Sequence, residues 1–152
     1  MADARVLIVE DNRDDAALTR RALADIVSAS QTVVAERGEH ALDYQFALGE
    51  FHGRDDRAQP DFILLDLELP GLSGMQVLER IRGDDRTRLI PTVILSGADV
   101  QESRIAAYRN GANSFLVKPA DAGGFTSLVR RAGHYWLSVN QPVPVIRTRF
   151  LR

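Results

Sequence analysis

Five residues with reactive or charged side chains lie at the ends of four short apolar runs of this 152-residue chain. In chain order they are Glu10, Asp11, Asp66, Ser96 and Lys118. If the fold brought the three carboxylates together they would repel one another, and one would take up a proton unless a cation lay between them. Oxygen ligands of this kind suit Mg²⁺, which binds through one or two carboxylates together with phosphate oxygens. The residue types therefore predict a magnesium site that handles a phosphoryl group.

Each side chain has a possible task in such a site. Asp66 could act as the nucleophile and form an acyl phosphate. Lys118 could place its positive charge on the phosphoryl oxygens, and Ser96 could donate a hydrogen bond to one of them. The protein would mainly position groups and neutralise charge, as phosphoryl transfer generally requires. Any one of these residues alone could be a solvated surface residue, so the hypothesis depends on the combination.

The apolar runs that precede these residues predict the strands of a parallel sheet. Their apolarity is continuous rather than alternating, which is typical of strands that are covered on both faces. The carboxyl ends of parallel strands lie at one edge of a sheet, where ligands bind, so the five residues are expected to share a pocket. The runs comprise residues 6–9, 62–65, 92–95 and 115–117, with a weaker run at 32–35.

Helical spacing of apolar residues lies between these runs. It is clearest at residues 18–27, 75–81 and 125–136, and shorter helices are expected near residues 41–46 and 105–108. Five alternations of strand and helix predict an α/β fold, a doubly wound five-stranded parallel sheet with helices on both faces. At the start of the first helix, Asp14 is predicted to be the N-cap, and Asp15 to interact favourably with the helix dipole.

Composition excludes several classes of protein. The chain is 45% hydrophobic and 26% charged, with a formal net charge of -2, which fits one globular domain without general affinity for nucleic acid. The absence of cysteine excludes disulfides and thiolate chemistry. No apolar stretch approaches the length of a membrane span, so a cytoplasmic location is expected. Residues 1–137 are predicted to form the domain, and residues 138–152 a tail.

The residues at the strand ends belong to a recognisable pattern. Together with Leu69-Pro70-Gly71, Gly74, Gly111-Ala112 and Lys118-Pro119, in this order and at this spacing, they resemble the receiver domain of bacterial response regulators. The resemblance covers approximately residues 5–137. It implies a flavodoxin-like fold and a place in a two-component system, in which a sensor histidine kinase donates a phosphoryl group to Asp66. It implies no enzymatic activity beyond the protein's own phosphorylation and dephosphorylation.

The resemblance also implies roles for individual residues. Mg²⁺ would be held by Glu10, Asp11, Asp66 and the backbone carbonyl of Glu68. Lys118 and Ser96 would contact the phosphoryl group, Ser96 and Phe115 would form the conformational switch, and the Lys118–Pro119 peptide would be cis. The chain departs from the common family pattern in three places: Glu10 replaces Asp, Ser96 replaces Thr, and Glu68 places a negative charge near the reacting phosphate.

A narrower resemblance concerns three segments of the chain. The opening Glu10-Asp11-Asn12-Arg13-Asp14-Asp15, the long loop before Asp61 and the ending His134-Tyr135-Trp136-Leu137 are similar to stand-alone regulators that partner bacterial phytochromes. Those proteins lack an output domain, so the signal is expected to pass by protein contact. The apolar tail residues Val143, Val145, Ile146 and Phe150 favour a homodimer formed through the fourth helix, the fifth strand, the fifth helix and the tail.

Two alternatives stay open at this stage. The first is a pseudo-receiver that dimerises or binds partners without phosphorylation. The second is a phosphohydrolase with an aspartyl nucleophile, because Asp66-Leu67-Glu68 is similar to the paired acids of haloacid-dehalogenase-like phosphatases. Those acids normally end the first strand, whereas Asp66 ends the third.

Overall fold

A parallel five-stranded sheet organises the molecule, as the apolar runs predict. The structure is a computed structural model and describes residues 4–144. The sheet has the strand order β2-β1-β3-β4-β5. Its strands are β1 (Val6–Val9), β2 (Thr32–Ala35), β3 (Phe62–Asp66), β4 (Thr92–Ser96) and β5 (Ser114–Val117). The predicted doubly wound fold is confirmed, and the strand bounds differ from the prediction by at most one residue.

Five helices connect and flank these strands. They are α1 (Arg13–Leu23), α2 (Gly38–Phe46), α3 (Gly74–Arg82), α4 (Gln101–Arg109) and α5 (Ala122–His134). A π-helical turn, Tyr135–Val139, continues α5. The described part of the tail ends at Pro144, so Val145, Ile146 and Phe150 lie outside the described residues. Among the helices within residues 4–144, none is both long enough and apolar enough to cross a bilayer.

The strands are apolar throughout because successive residues face opposite helical layers. Ile63 and Leu65 of β3 belong to a core that includes residues of α2, α3 and α4. Phe62 and Leu64 belong to a second core, which includes Leu23 of α1 and residues of α5. Both faces of the sheet are thus covered, and polar side chains are left to the strand ends.

The N-cap of α1 differs from the prediction. Asn12, and not Asp14, is the N-cap, and its side-chain oxygen accepts a hydrogen bond from the Asp15 backbone N–H at 3.0 Å. Asn is as favourable an N-cap as Asp, and the chain turns into α1 only two residues after Glu10. Asp14 and Asp15 therefore both lie within the first turn of α1.

Candidate functional site

Strand register brings the Glu10 and Asp66 carboxyl groups to neighbouring positions. Val9 of β1 pairs with Leu65 of β3, so the next residue on each strand is an acid. Both residues are buried, whereas Asp11 is exposed. Each of the three offers a carboxylate oxygen, and these oxygens all lie within 4.8 Å of one another. The predicted acidic cluster is therefore present at the carboxyl edge of the sheet.

Lys118 faces this cluster from the end of β5. Its Nζ lies 2.6 Å from Oε1 of Glu10 and 3.1 Å from Oδ2 of Asp66. The Lys118 backbone N–H donates to the Ser96 carbonyl at 2.8 Å and so continues the β4–β5 ladder past Val117. Only 13% of the Lys118 side chain is exposed. The ammonium group is therefore fixed among carboxylates and is not a surface charge.

Asp15 is a fourth acid at this site, although the sequence predicted for it only a favourable interaction with the helix dipole. Its Oδ2 lies 3.1 Å from Nζ of Lys118. With Asn12 as the N-cap, Asp15 is the third residue of α1, where its side chain can turn back toward the strand ends. The signal in the sequence was the cap-forming Asn12 three residues earlier, which competed with Asp14 for the same role.

The closeness of the charges changes how the groups titrate. Burial and the hydrogen bond and charge of Asp66 raise the pKa of Glu10 from 4.5 to about 8, although Lys118 acts in the opposite direction. Burial lowers the pKa of Lys118, but Glu10, Asp66 and Asp15 outweigh it and raise this pKa above its ordinary value. The lysine stays charged, and without a further cation the carboxylates around it are crowded enough to favour protonation of Glu10.

Ser96 ends β4 beside the cluster and is buried. Its hydroxyl donates to the Ala98 carbonyl at 2.9 Å and accepts from the Ala98 N–H at 3.2 Å. The same Oγ lies 3.5 Å from Oε1 of Glu68. The Glu68 backbone N–H in turn donates to Oδ1 of Asp66 at 2.8 Å. The loop after β3 thus orients the Asp66 carboxylate and reaches toward the serine.

Phe115 is the second residue of β5, the strand at one side of the sheet. It is half-buried and packs against the core on the side of α2, α3 and α4. The guanidinium carbon of Arg104, on α4, lies 5.9 Å from the centre of its ring. The peptide between Lys118 and Pro119 is trans, as are all peptides of the described residues, so the expected cis bond is wrong. The trans form is the favoured one for most Xaa–Pro bonds.

Gly74 allows α3 to approach the backbone of Asp66. A Cβ atom at this position would lie 2.2 Å from the Asp66 carbonyl oxygen and 2.5 Å from Cα of Leu67. The helix begins there with a capping box formed by Ser73 and Gln76. The helix start therefore packs directly on the loop that carries Asp66, which explains why a residue without a side chain is needed.

The residues present fit a small divalent cation. Three carboxylate oxygens from two adjacent strand ends form a hard donor set, which is the kind that Mg²⁺ prefers. Asp11, the exposed member, leaves one side open to water and to a phosphate group. The Lys118 ammonium lies next to Glu10 and Asp66, within hydrogen-bond distance of both.

Comparison with known proteins agrees with this geometry. The sequence model of the response regulator receiver domain matches residues 6–130, so the chain belongs to that family. Receiver domains of this family are signalling modules of two-component systems, which bind Mg²⁺ at an acidic pocket and partner with sensor histidine kinases. The resemblance predicted from the strand-end residues is confirmed.

The chain is also similar to individual response regulators and to a related regulatory protein. The chain is 34% identical over 136 residues to the probable methanogenesis regulatory protein FilR2 of Methanothrix harundinacea, covering 90% of this chain and 85% of FilR2. The phosphorylated cyanobacterial phytochrome response regulator RcpA superposes with a TM-score of 0.86 at 30% identity, over 94% of this chain and all of RcpA. The Mn²⁺-bound form of Rcp1, a response regulator of Synechocystis, has a TM-score of 0.82 at 26% identity, over 91% and 98% of the two chains.

Proposed function

We propose that this chain is a response regulator receiver domain that accepts a phosphoryl group on Asp66 in a magnesium-dependent reaction. The observation that carries the proposal is the position of the Lys118 ammonium, 3.1 Å from Asp66 and 2.6 Å from Glu10. A buried carboxylate beside a lysine, and beside two further acids that could hold a divalent cation, suits acceptance of a phosphoryl group, because the lysine and the cation offset the negative charge that arrives.

The proposed chemistry assigns one task to each residue. Glu10, Asp11, Asp66 and the Glu68 carbonyl would hold Mg²⁺, which when bound offsets the charge of the incoming phosphoryl oxygens. The Glu68 N–H holds Oδ1 of Asp66, which orients the carboxylate for attack on phosphorus. The bond from phosphorus to the donor's leaving group breaks as the bond to Asp66 forms, and when the donor is a phosphohistidine its freed ring nitrogen takes up one proton from water. Lys118 neutralises the transferred charge.

Ser96 and Phe115 would report the phosphorylated state. The Ser96 hydroxyl must leave the Ala98 carbonyl to donate to a phosphoryl oxygen. The ring of Phe115 would then move inward, away from its contact with Arg104, and this would change the surface that α4 presents. We propose that this surface passes the signal on by protein contact. Its exposed apolar residues support the proposal: Val100, Ile105, Tyr108 and Val117.

The same face would form a homodimer, through α4, β5, α5 and the tail. Sedimentation of the full chain and of the Ile105→Asp, Tyr108→Asp double variant tests this directly. A dimer that becomes a monomer in the variant is expected, since two charges would be buried in the interface. A monomeric mass for both proteins would contradict the dimer.

The upstream partner is proposed to be a sensor histidine kinase with a phytochrome photoreceptor. The likeness to RcpA, which is a phytochrome response regulator, supports this choice. Transfer of phosphate from a purified phytochrome kinase to wild type, and not to Asp66→Asn, is the expected result. Equal rates of transfer from kinases without a photoreceptor would contradict the choice.

Intact-mass measurement after incubation with acetyl phosphate and Mg²⁺ tests the phosphorylation itself. One phosphoryl adduct is expected on wild type and on the control Asp14→Asn, whose side chain is exposed, and none on Asp66→Asn. Absence of any adduct on wild type would favour the pseudo-receiver alternative.

A further inference from the structure

Asp15 contacts the site from an element that contributes none of the grouped carboxylates. Its carboxylate belongs to the first turn of α1 and lies 3.1 Å from Nζ of Lys118. Asp15 is placed firmly there, because its N–H donates to the Asn12 cap and its carbonyl accepts from the Thr19 hydroxyl at 2.7 Å. The contact with Lys118 is thus a fixed feature of the first turn of α1.

The three acceptors around Lys118 use all the hydrogen bonds that the ammonium can donate. A lysine ammonium has three N–H donors, and Glu10, Asp66 and Asp15 each accept one. A phosphoryl oxygen on Asp66 can therefore gain a hydrogen bond from Lys118 only when one carboxylate gives its own up.

The exposed fraction of each side chain indicates which carboxylate gives up its hydrogen bond from Lys118. The side chain of Asp15 is 29% exposed, whereas those of Glu10 and Asp66 are 3% and 5% exposed. Water can replace Lys118 at Asp15 at little cost, but a buried carboxylate that loses its partner remains unpaired. Asp15 is also absent from the group of acids whose oxygens could hold a metal.

We propose that Asp15 is a positioning residue that holds Lys118 in the unphosphorylated protein and competes with the phosphoryl group for its ammonium. This inference rests on the proposed phosphorylation of Asp66. The Asp15 carboxylate weakens the hold of Lys118 on a phosphoryl group, and removing it strengthens that hold.

Binding of beryllium fluoride, a phosphoryl analogue that attaches to a carboxylate, tests the inference at equilibrium. ¹⁹F NMR titrations in the presence of Mg²⁺ would compare wild type, Asp15→Asn and Asp14→Asn. The two variants lose the same charge from the same helical turn, but only Asp15 contacts Lys118. We expect Asp15→Asn to bind roughly threefold to fivefold more tightly, the effect of one partly exposed charge pair, and Asp14→Asn to bind like wild type.

A further variant separates the carboxylate from the fold of the turn. Asp15→Glu keeps the charge within reach of Lys118 and is expected to bind like wild type. The inference is overturned if Asp15→Asn binds no more tightly than Asp14→Asn, or if Asp15→Glu behaves like Asp15→Asn. Failure of wild type to bind the analogue at all would instead overturn the proposed phosphorylation, and this inference with it.

Discussion

The ammonium of Lys118 lies 2.6 Å from the carboxylate of Glu10, although the two residues are 108 positions apart in the chain. The pair joins the end of β5 to the end of β1 across β3 and β4, so Lys118 holds together the edge at which all the acids meet. Its loss is expected to affect both the stability of the protein and the chemistry at Asp66.

Lys118→Met should destabilise the protein when no metal is added. The variant leaves the buried Glu10 and Asp66 without a counter-ion, and we expect the free energy of unfolding in urea to fall by about 3–5 kcal/mol. Arg88→Met is the matched control, because Arg88 pairs with Asp85 on the surface, where 58% of its side chain is exposed, and it should cost less than about 1 kcal/mol. Equal stability of both variants would show that the lysine does not hold this edge.

Mg²⁺ should stabilise the wild type. Binding to the folded state alone adds about 1.4 kcal/mol to the free energy of unfolding at ten times the dissociation constant. In Asp11→Asn this increment should disappear, while stability without metal should stay the same or rise, since repulsion among the carboxylates is relieved. Asp14→Asn should keep the increment. An undiminished increment in Asp11→Asn would place the metal elsewhere.

Asn12→Ala should destabilise α1 by removing the acceptor for the Asp15 N–H. A loss of about 1 kcal/mol in the free energy of unfolding is expected. Asn12→Asp keeps an acceptor at the same position and should remain close to wild type. If alanine and aspartate behaved alike at position 12, the helix would have another cap.

Gly74→Ala should damage the fold at the loop that carries Asp66. The added methyl group would overlap the Asp66 carbonyl, which is backbone and cannot rotate away. We expect a loss of about 1–3 kcal/mol in the free energy of unfolding, together with slower phosphorylation. Gly53→Ala is the control, because a Cβ there would meet nothing within 4 Å. A harmless Gly74→Ala would mean that α3 can move away from β3.

Asp84 should titrate at unusually low pH. Hydrogen bonds from Arg86, at 2.8 and 2.9 Å, lower the pKa of Asp84 from 3.8 to about 2. Because the pKa of Asp84 is lower in the folded state, its ionised form stabilises the folded protein at pH values above the unfolded-state pKa of 3.8. This stabilisation is lost as the pH falls through about 2. NMR titration of the Asp84 carboxyl group should show this midpoint, and Arg86→Leu should return it toward 3.8. The pair is partly exposed, so its stabilisation should stay below about 1 kcal/mol.

Much of the acidic cluster could be predicted because it depends only on strand ends. The apolar runs before Glu10 and Asp66 mark where β1 and β3 stop, and parallel strands place those ends at one edge. Lys118 follows from the same reasoning on β5. The closeness of Glu10 and Asp66 could be predicted from the strand ends alone, since residues directly after adjacent parallel strands lie side by side.

Asp15 could not be placed in the same way. Its position depends on where α1 begins, and three candidate caps lie within four residues of one another: Asn12, Asp14 and Asp15. Their intrinsic preferences for the cap position are nearly equal, so the choice is made by how the chain leaves β1. A shift of the cap by two residues turns Asp15 to another face of the helix.

The strand order has a consequence for how the chain folds. β1 is made first, yet it lies between β2 and β3, and its edge facing β3 has no partner until residue 62 has been synthesised. Refolding should therefore be limited by closure of this long parallel pairing and not by helix formation. An emerging chain that stops short of β3 would present an open strand edge to its neighbours, which makes early truncation products the species most prone to aggregate.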